Sequence, residues 1–121
     1  MAAIAKLADR SPAGADTAID AAHLARMTLG EVSLEREVLA LFDRQAEVLL
    51  PRIRSGAGPI AAASAHTLKG SALGIGAFAV ARAAEAVERA TDADLADAID
   101  ALTEALATVS AAIVSRLRQG A

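Results

Sequence analysis

The 121-residue sequence contains no cysteine, no tryptophan and no tyrosine, and its only aromatic rings of that class are Phe42 and Phe78. Without cysteine there is no disulfide scaffold and no Cys-based zinc site. A reducing compartment suits such a chain. The scarcity of aromatic residues argues against a β-rich fold, in which alanine is also depleted. Long apolar runs are missing too. The longest stretch without a charged residue, Ser55–Leu68, spans 14 residues and includes Gly, Pro and Ser. A membrane span needs roughly 18 or more apolar residues. Met1–Arg10 carries Lys6, Asp9 and Arg10 and has no uninterrupted apolar segment of signal-peptide length. Nor is there a basic excess. The net charge is −3 and the pI about 5.3, which argues against nucleic acid as a partner. The expectation is a soluble, cytoplasmic protein that engages neither nucleic acid nor membrane.

What the chain does have is alanine, at 34 positions, within a hydrophobic content of 55 %. Alanine is the best helix former, so an all-α fold is expected. High apolar content and low net charge exclude general disorder. The length fits one domain. Residues 1–17, with Ser11-Pro12-Ala13-Gly14, are expected to be a flexible tail, and residues 18–120 a single bundle domain. A short helix is predicted over Asp20–Thr28, stopping near Gly30. A long one follows, with Ser33 as N-cap and Glu35 and Glu37 in its first turn. Its apolar stripe is Leu34, Val38, Leu41, Gln45 and Val48, widened by Phe42, Leu49 and Ile53, and Pro51 is expected to kink or end it. Gln45 is polar on this stripe and calls for a partner, since an unpaired buried amide costs about 1–3 kcal/mol.

Pro59 opens a third helix to Leu73, with Ala61, Ala65, Leu68, Ala72 and Ile75 inward, and Gly74-Ile75-Gly76 breaks the chain. A fourth helix, about Ala77–Ala90, buries Val80, Ala84 and Val87. Thr91 caps a fifth, where Leu95, Ile99, Leu102, Leu106, Val109 and Ile113 recur at steps of four and three. Short loops between long amphipathic helices predict an antiparallel four-helix bundle with a short additional N-terminal helix.

His66 lies one position past the inward row of the third helix, about 100° away from the core direction. Lys69, Gly70 and Leu73 share its face. A neutral imidazole is a nucleophile, and a hydrogen bond on one ring nitrogen fixes which nitrogen can attack. The ammonium of Lys69 could steady a phosphoryl group on that ring. Gly70 costs its helix about 1 kcal/mol relative to alanine, in a chain that uses alanine freely. Removing that side chain lets another molecule come close to the imidazole. Taken singly, each of these has an ordinary explanation. A lone histidine is usually a polar surface residue, Lys69 a solvated lysine, and Gly70 a close helix–helix contact. His23 keeps that ordinary reading, as do charge pairs such as Glu85/Arg89. Lys69-Gly70-Ser71 is not a P-loop, which needs Gly-Lys-Ser/Thr in that order after a strand. No metal-ligand set is apparent.

As a string the residues are more specific. Ala65-His66-Thr67-Leu68-Lys69-Gly70-Ser71-Ala72, followed by Gly76-Ala77, resembles the signature of histidine phosphotransfer (HPt) domains of bacterial phosphorelays. Val87-Glu88 matches that family's fourth-helix ending, and Phe42-Asp43-Arg44-Gln45 its frequent Phe-x-x-Gln. The resemblance runs from about Asp20 to Gln119. It implies a helical bundle in which His66 accepts and donates a phosphoryl group at Nε2. It further implies that Lys69 balances phosphate charge, that Gly70 clears room for the partner, and that Gln45 hydrogen-bonds the ring at Nδ1. The expected partners are receiver domains of hybrid histidine kinases and response regulators. The chain would have no cofactor of its own, with Mg²⁺ in the receiver. Docking is expected over Ala62, Ala63 and Leu73, with Leu24 and Met27 of the first helix, and a monomer is expected. Two rivals stand beside this reading. A self-phosphorylating kinase fragment would need an ATP-binding domain, for which no Gly-rich nucleotide loop is present. A non-catalytic helical interaction or oligomerisation module would use the regular seam of the fifth helix.

Overall fold

Five helices follow one another in the computed structural model, which describes residues 18–56 and 58–119. The expected 1–17 tail lies outside the described residues. Helix α1, Ala21–Met27, begins where the Asp20 carboxylate accepts the backbone N–H of His23 at 2.9 Å. That bond satisfies one of the helix's orphan donors. Leu29 and Gly30, both with positive φ, turn the chain into α2, Val32–Ser55. Then come α3, Pro59–Ile75, α4, Phe78–Arg89, and α5, Asp92–Gln119. Helix α3 packs on α2 and α4, and α5 packs on α4 and back on α2, so the four long helices close a ring. The Arg116–Glu35 ion pair, at 3.0 Å, ties the last turn of α5 to the first turn of α2 and fixes their opposite directions. Helix α1 lies against α3.

The core is the one expected for α3, α4 and the second half of α5. Ala61, Ala65, Leu68, Ala72 and Ile75 are buried from α3, Val80, Ala84 and Val87 from α4, and Leu102, Leu106, Val109 and Ile113 from α5. Leu95 and Ile99, in the first turns of α5, are only partly covered. By length and composition α5 could cross a membrane, but its Leu102, Leu106, Val109 and Ile113 form the inner seam of the bundle.

Three expectations are corrected. The buried face of α2 is Leu39, Phe42, Ala46, Leu49 and Ile53, while Leu41 and Val48 are each 53 % exposed. Both rows satisfy a three–four repeat. The row with Phe42 and Ile53 wins because it buries more apolar area, and the helix rotates by one residue accordingly. Ser33 is not the N-cap; Glu31 holds that position without a side-chain cap bond, and Ser33 lies within the helix. Pro51 neither ends nor limits α2, which continues to Ser55, where the hydroxyl donates to the Pro51 carbonyl at 2.7 Å.

Helix α3 also runs two residues past its expected end, because its stop signal is Gly76 alone. Gly76 takes the left-handed conformation, φ 79°, as the C-cap. Its carbonyl accepts the N–H of Asp20 at 2.9 Å, and a β-carbon there would lie 3.0–3.2 Å from Asp20 atoms. One glycine thus ends α3 and seats the start of α1 on it.

Candidate functional site

His66 stands in the middle of α3 on the side away from the core, with its side chain 69 % exposed. The antiparallel neighbour α4 brings up two carboxylates, Glu85 and Glu88, three residues apart and therefore on one face. His66 meets Glu88 and, one turn along, Lys69 meets both Glu88 and Glu85. His66 Nδ1 lies 2.9 Å from Glu88 Oε2. Lys69 Nζ lies 3.0 Å from Glu88 Oε1 and 3.6 Å from Glu85 Oε1. Glu85 Oε2 lies 3.9 Å from Arg89 on its own helix. The four groups around the imidazole therefore form one alternating chain of charge.

Burial works to raise the Glu88 pKa, but hydrogen bonding to Lys69 and His66, with their charge, outweighs it and holds the carboxyl below its usual range. Glu88 is thus an ionised acceptor at neutral pH. An ionised carboxylate has no proton to give, so His66 Nδ1 must carry the hydrogen and donate it. In the neutral form of this exposed ring the lone pair is then on Nε2. Lys69 is held above the ordinary lysine range, chiefly by its hydrogen bond to Glu88, and stays charged.

The ring partner is therefore Glu88, in the place the resemblance assigns to Gln45. Gln45 is half-buried, beside Ser71 and Ile75 in a shallow cavity between α2 and α3. The rotation of α2 places it at the edge of the buried face, so it needs no buried partner. Glu88 and Glu85 are the side chains at the His66–Lys69 pair that single-residue reasoning did not place there. Their signal was present in the i,i+3 carboxylates of α4 and in the Glu at the helix ending, but only the packing of α4 on α3 aims them at His66.

The remaining positions divide. Ala63 and Leu73 are exposed and Ala62 is half-buried on the His66 side of α3, and Met27 is exposed on α1. Leu24 is fully buried and cannot form part of a docking surface. It is the residue that anchors the short α1 to the bundle, since a seven-residue helix has no other large apolar group facing inward. A β-carbon at Gly70 would meet no atom within 4 Å. Nothing inside this fold, then, requires glycine there. His23 packs edge-on against Phe78, with ring centroids 5.3 Å apart, an ordinary packing role. A concavity of about 820 Å³ between α2 and α5 is lined by neither His66, Lys69 nor Glu88. Among the described residues no cluster of three acidic or histidine side chains is placed to hold a metal ion.

Searches of curated proteins and of solved structures give no match. Residues 37–112, well over half of the chain, match the family model of the Hpt domain. That span contains the whole His66–Lys69–Glu85–Glu88 cluster, Gly70 and the Gly76 cap. The chain belongs to the Hpt domain family, whose members carry phosphoryl groups on histidine in phosphorelays and interact with receiver domains rather than acting as kinases.

Proposed function

We propose that this protein relays a phosphoryl group between aspartate-bearing receiver domains through His66, as a monomer in the cytoplasm. The observation that carries this reading is the bond from His66 Nδ1 to Glu88. It fixes the tautomer that leaves Nε2 as the nucleophile. In the transfer, the Nε2 lone pair forms the N–P bond while the P–O bond of the receiver's acyl phosphate breaks. The electron pair leaves with the receiver's aspartate carboxylate. The proton on Nδ1 stays in its bond to Glu88, whose negative charge offsets the positive charge gained by the ring. Mg²⁺ and most of the positioning of the acyl phosphate are supplied by the receiver. Lys69 faces the charge of the phosphoryl group, and Gly70 lets the receiver backbone come close. Ala62, Ala63, Leu73 and Met27 form the surrounding contact surface.

Incubation with a phosphorylated receiver should give this protein an acid-labile, alkali-stable phosphate. His66→Gln should remove it, and label that persists in that variant would refute the assignment. Lys69→Ala should shorten the lifetime of the phosphorylated form. The feature that favoured an oligomerisation module was the regular seam of α5. Leu102, Leu106, Val109 and Ile113 of that seam are already buried inside a single chain.

A further inference from the structure

Lys69 does not stand free to meet a phosphoryl group. Its ammonium lies between two carboxylates, at 3.0 Å from Glu88 and 3.6 Å from Glu85. The two are not equivalent. Glu88 is tied through its other oxygen to His66 and is only 21 % exposed. Glu85 is 44 % exposed, holds Lys69 at the longer distance, and has a second cation, Arg89, beside its other oxygen. A phosphoryl group on Nε2 would bring about two negative charges to a site that already contains two carboxylates. For Lys69 to turn towards it, one carboxylate must let go. The longer, more solvated contact is the one that yields, and Arg89 is placed to receive the released Glu85.

We propose that Glu85 is a positioning residue that competes with the phosphoryl group for Lys69 and thereby keeps phospho-His66 easy to discharge. This inference rests on His66 being the phosphoryl carrier. In the empty state Glu85 and Glu88 share the ammonium. In the loaded state Lys69 leaves Glu85 for the phosphoryl oxygens, and Glu85 closes on Arg89. The cost of separating Lys69 from Glu85 lowers the stability of the loaded state, which a carrier needs if it is to pass the group on.

The test measures the equilibrium ratio of phospho-His66 to phosphorylated receiver for the wild type, Glu85→Gln, Lys69→Ala and the double variant, with helicity checked by circular dichroism. Glu85→Gln should shift the ratio towards phospho-His66 by roughly two- to fivefold, the range expected for a partly exposed ion pair. The shift should vanish in the Lys69→Ala background. Glu85→Ala, which removes the carboxylate altogether, should shift the ratio in the same direction. In ¹⁵N-detected NMR, the Lys69 ammonium of Glu85→Gln should titrate at lower pH than in the wild type. A wild-type ratio that Glu85→Gln leaves unchanged would overturn the proposal. So would a shift of equal size without Lys69, because Glu85 would then act by its own charge alone. A wild type that takes no phosphate on His66 would instead overturn the relay reading.

Discussion

His66 is an exposed histidine whose chemistry is set by one oxygen of a neighbouring carboxylate. Glu88→Gln keeps the shape of that neighbour but removes its charge, and a neutral amide can present either an acceptor or a donor to Nδ1. A hydrogen bond to a charged group contributes about 1.5–3 kcal/mol, and partial exposure favours the lower end, so transfer should slow by about tenfold. Single-turnover phosphotransfer checks the rate, and ¹⁵N shifts of the ring should show a tautomer mixture in place of the Nδ1–H form. Gly70 offers the opposite pairing of stability and activity. Glycine costs a helix interior about 1 kcal/mol relative to alanine, and the space around a β-carbon at this site is empty. Gly70→Ala should therefore raise the unfolding midpoint by about 4–8 °C. Gly70→Gln should leave helicity intact and block transfer. Normal transfer by the glutamine variant would show that the receiver does not approach there.

At the level of elements, the site depends on α3 and α4 keeping their register, and two of the contacts that hold α1 to the rest can be tested directly. The first attachment is Gly76, where the left-handed backbone and the close approach of Asp20 both exclude a side chain. Gly76→Ala should cost about 1–2 kcal/mol for the backbone conformation alone, and more for the displaced Asp20. The second is Leu24, whose truncation to alanine should cost about 2–5 kcal/mol. Urea unfolding measures both. Because α1 supplies Met27 but none of the groups bonded to His66, Leu24→Ala should weaken receiver binding more than it changes the ring titration. The elements themselves were legible wherever the apolar spacing admitted one solution, as in α3 with its single buried row. Helix α2 was not such a case. Two adjacent rows each satisfy the repeat, and burial chose the one with the larger side chains, moving Gln45 to the rim.

Across the whole molecule, the charge network links the site to pH. The carboxyl of Glu88 is lowered in the folded chain, so its contribution to stability is present above the ordinary carboxylate range and is lost as pH falls through the folded value. Lys69 is raised, so its contribution is present up to the ordinary lysine range and is lost as pH rises beyond it. Between these limits the network is constant, which spans the pH at which a phosphorelay would work. Stability measured by urea at pH 7 and pH 3 should therefore fall less in Glu88→Gln than in the wild type. Both groups are partly solvated, and screening keeps the difference small. An equal fall in both proteins would mean that Glu88 is not held ionised by its partners.

Reading along one chain was enough to place the helices and to set His66, Lys69 and Gly70 on one face of α3. These follow from spacing along one chain and from residue type: alanine and periodic leucine form helices, and imidazole, ammonium and glycine keep their chemistry wherever they stand. Which acidic group touches the imidazole was settled by packing between helices. That depends on the register of α4 against α3 and on the rotation of α2, which are set by how large side chains fill a common core. Packing therefore put Glu88 at Nδ1, shared Lys69 between two carboxylates, and turned Leu24 from a candidate contact into an anchor.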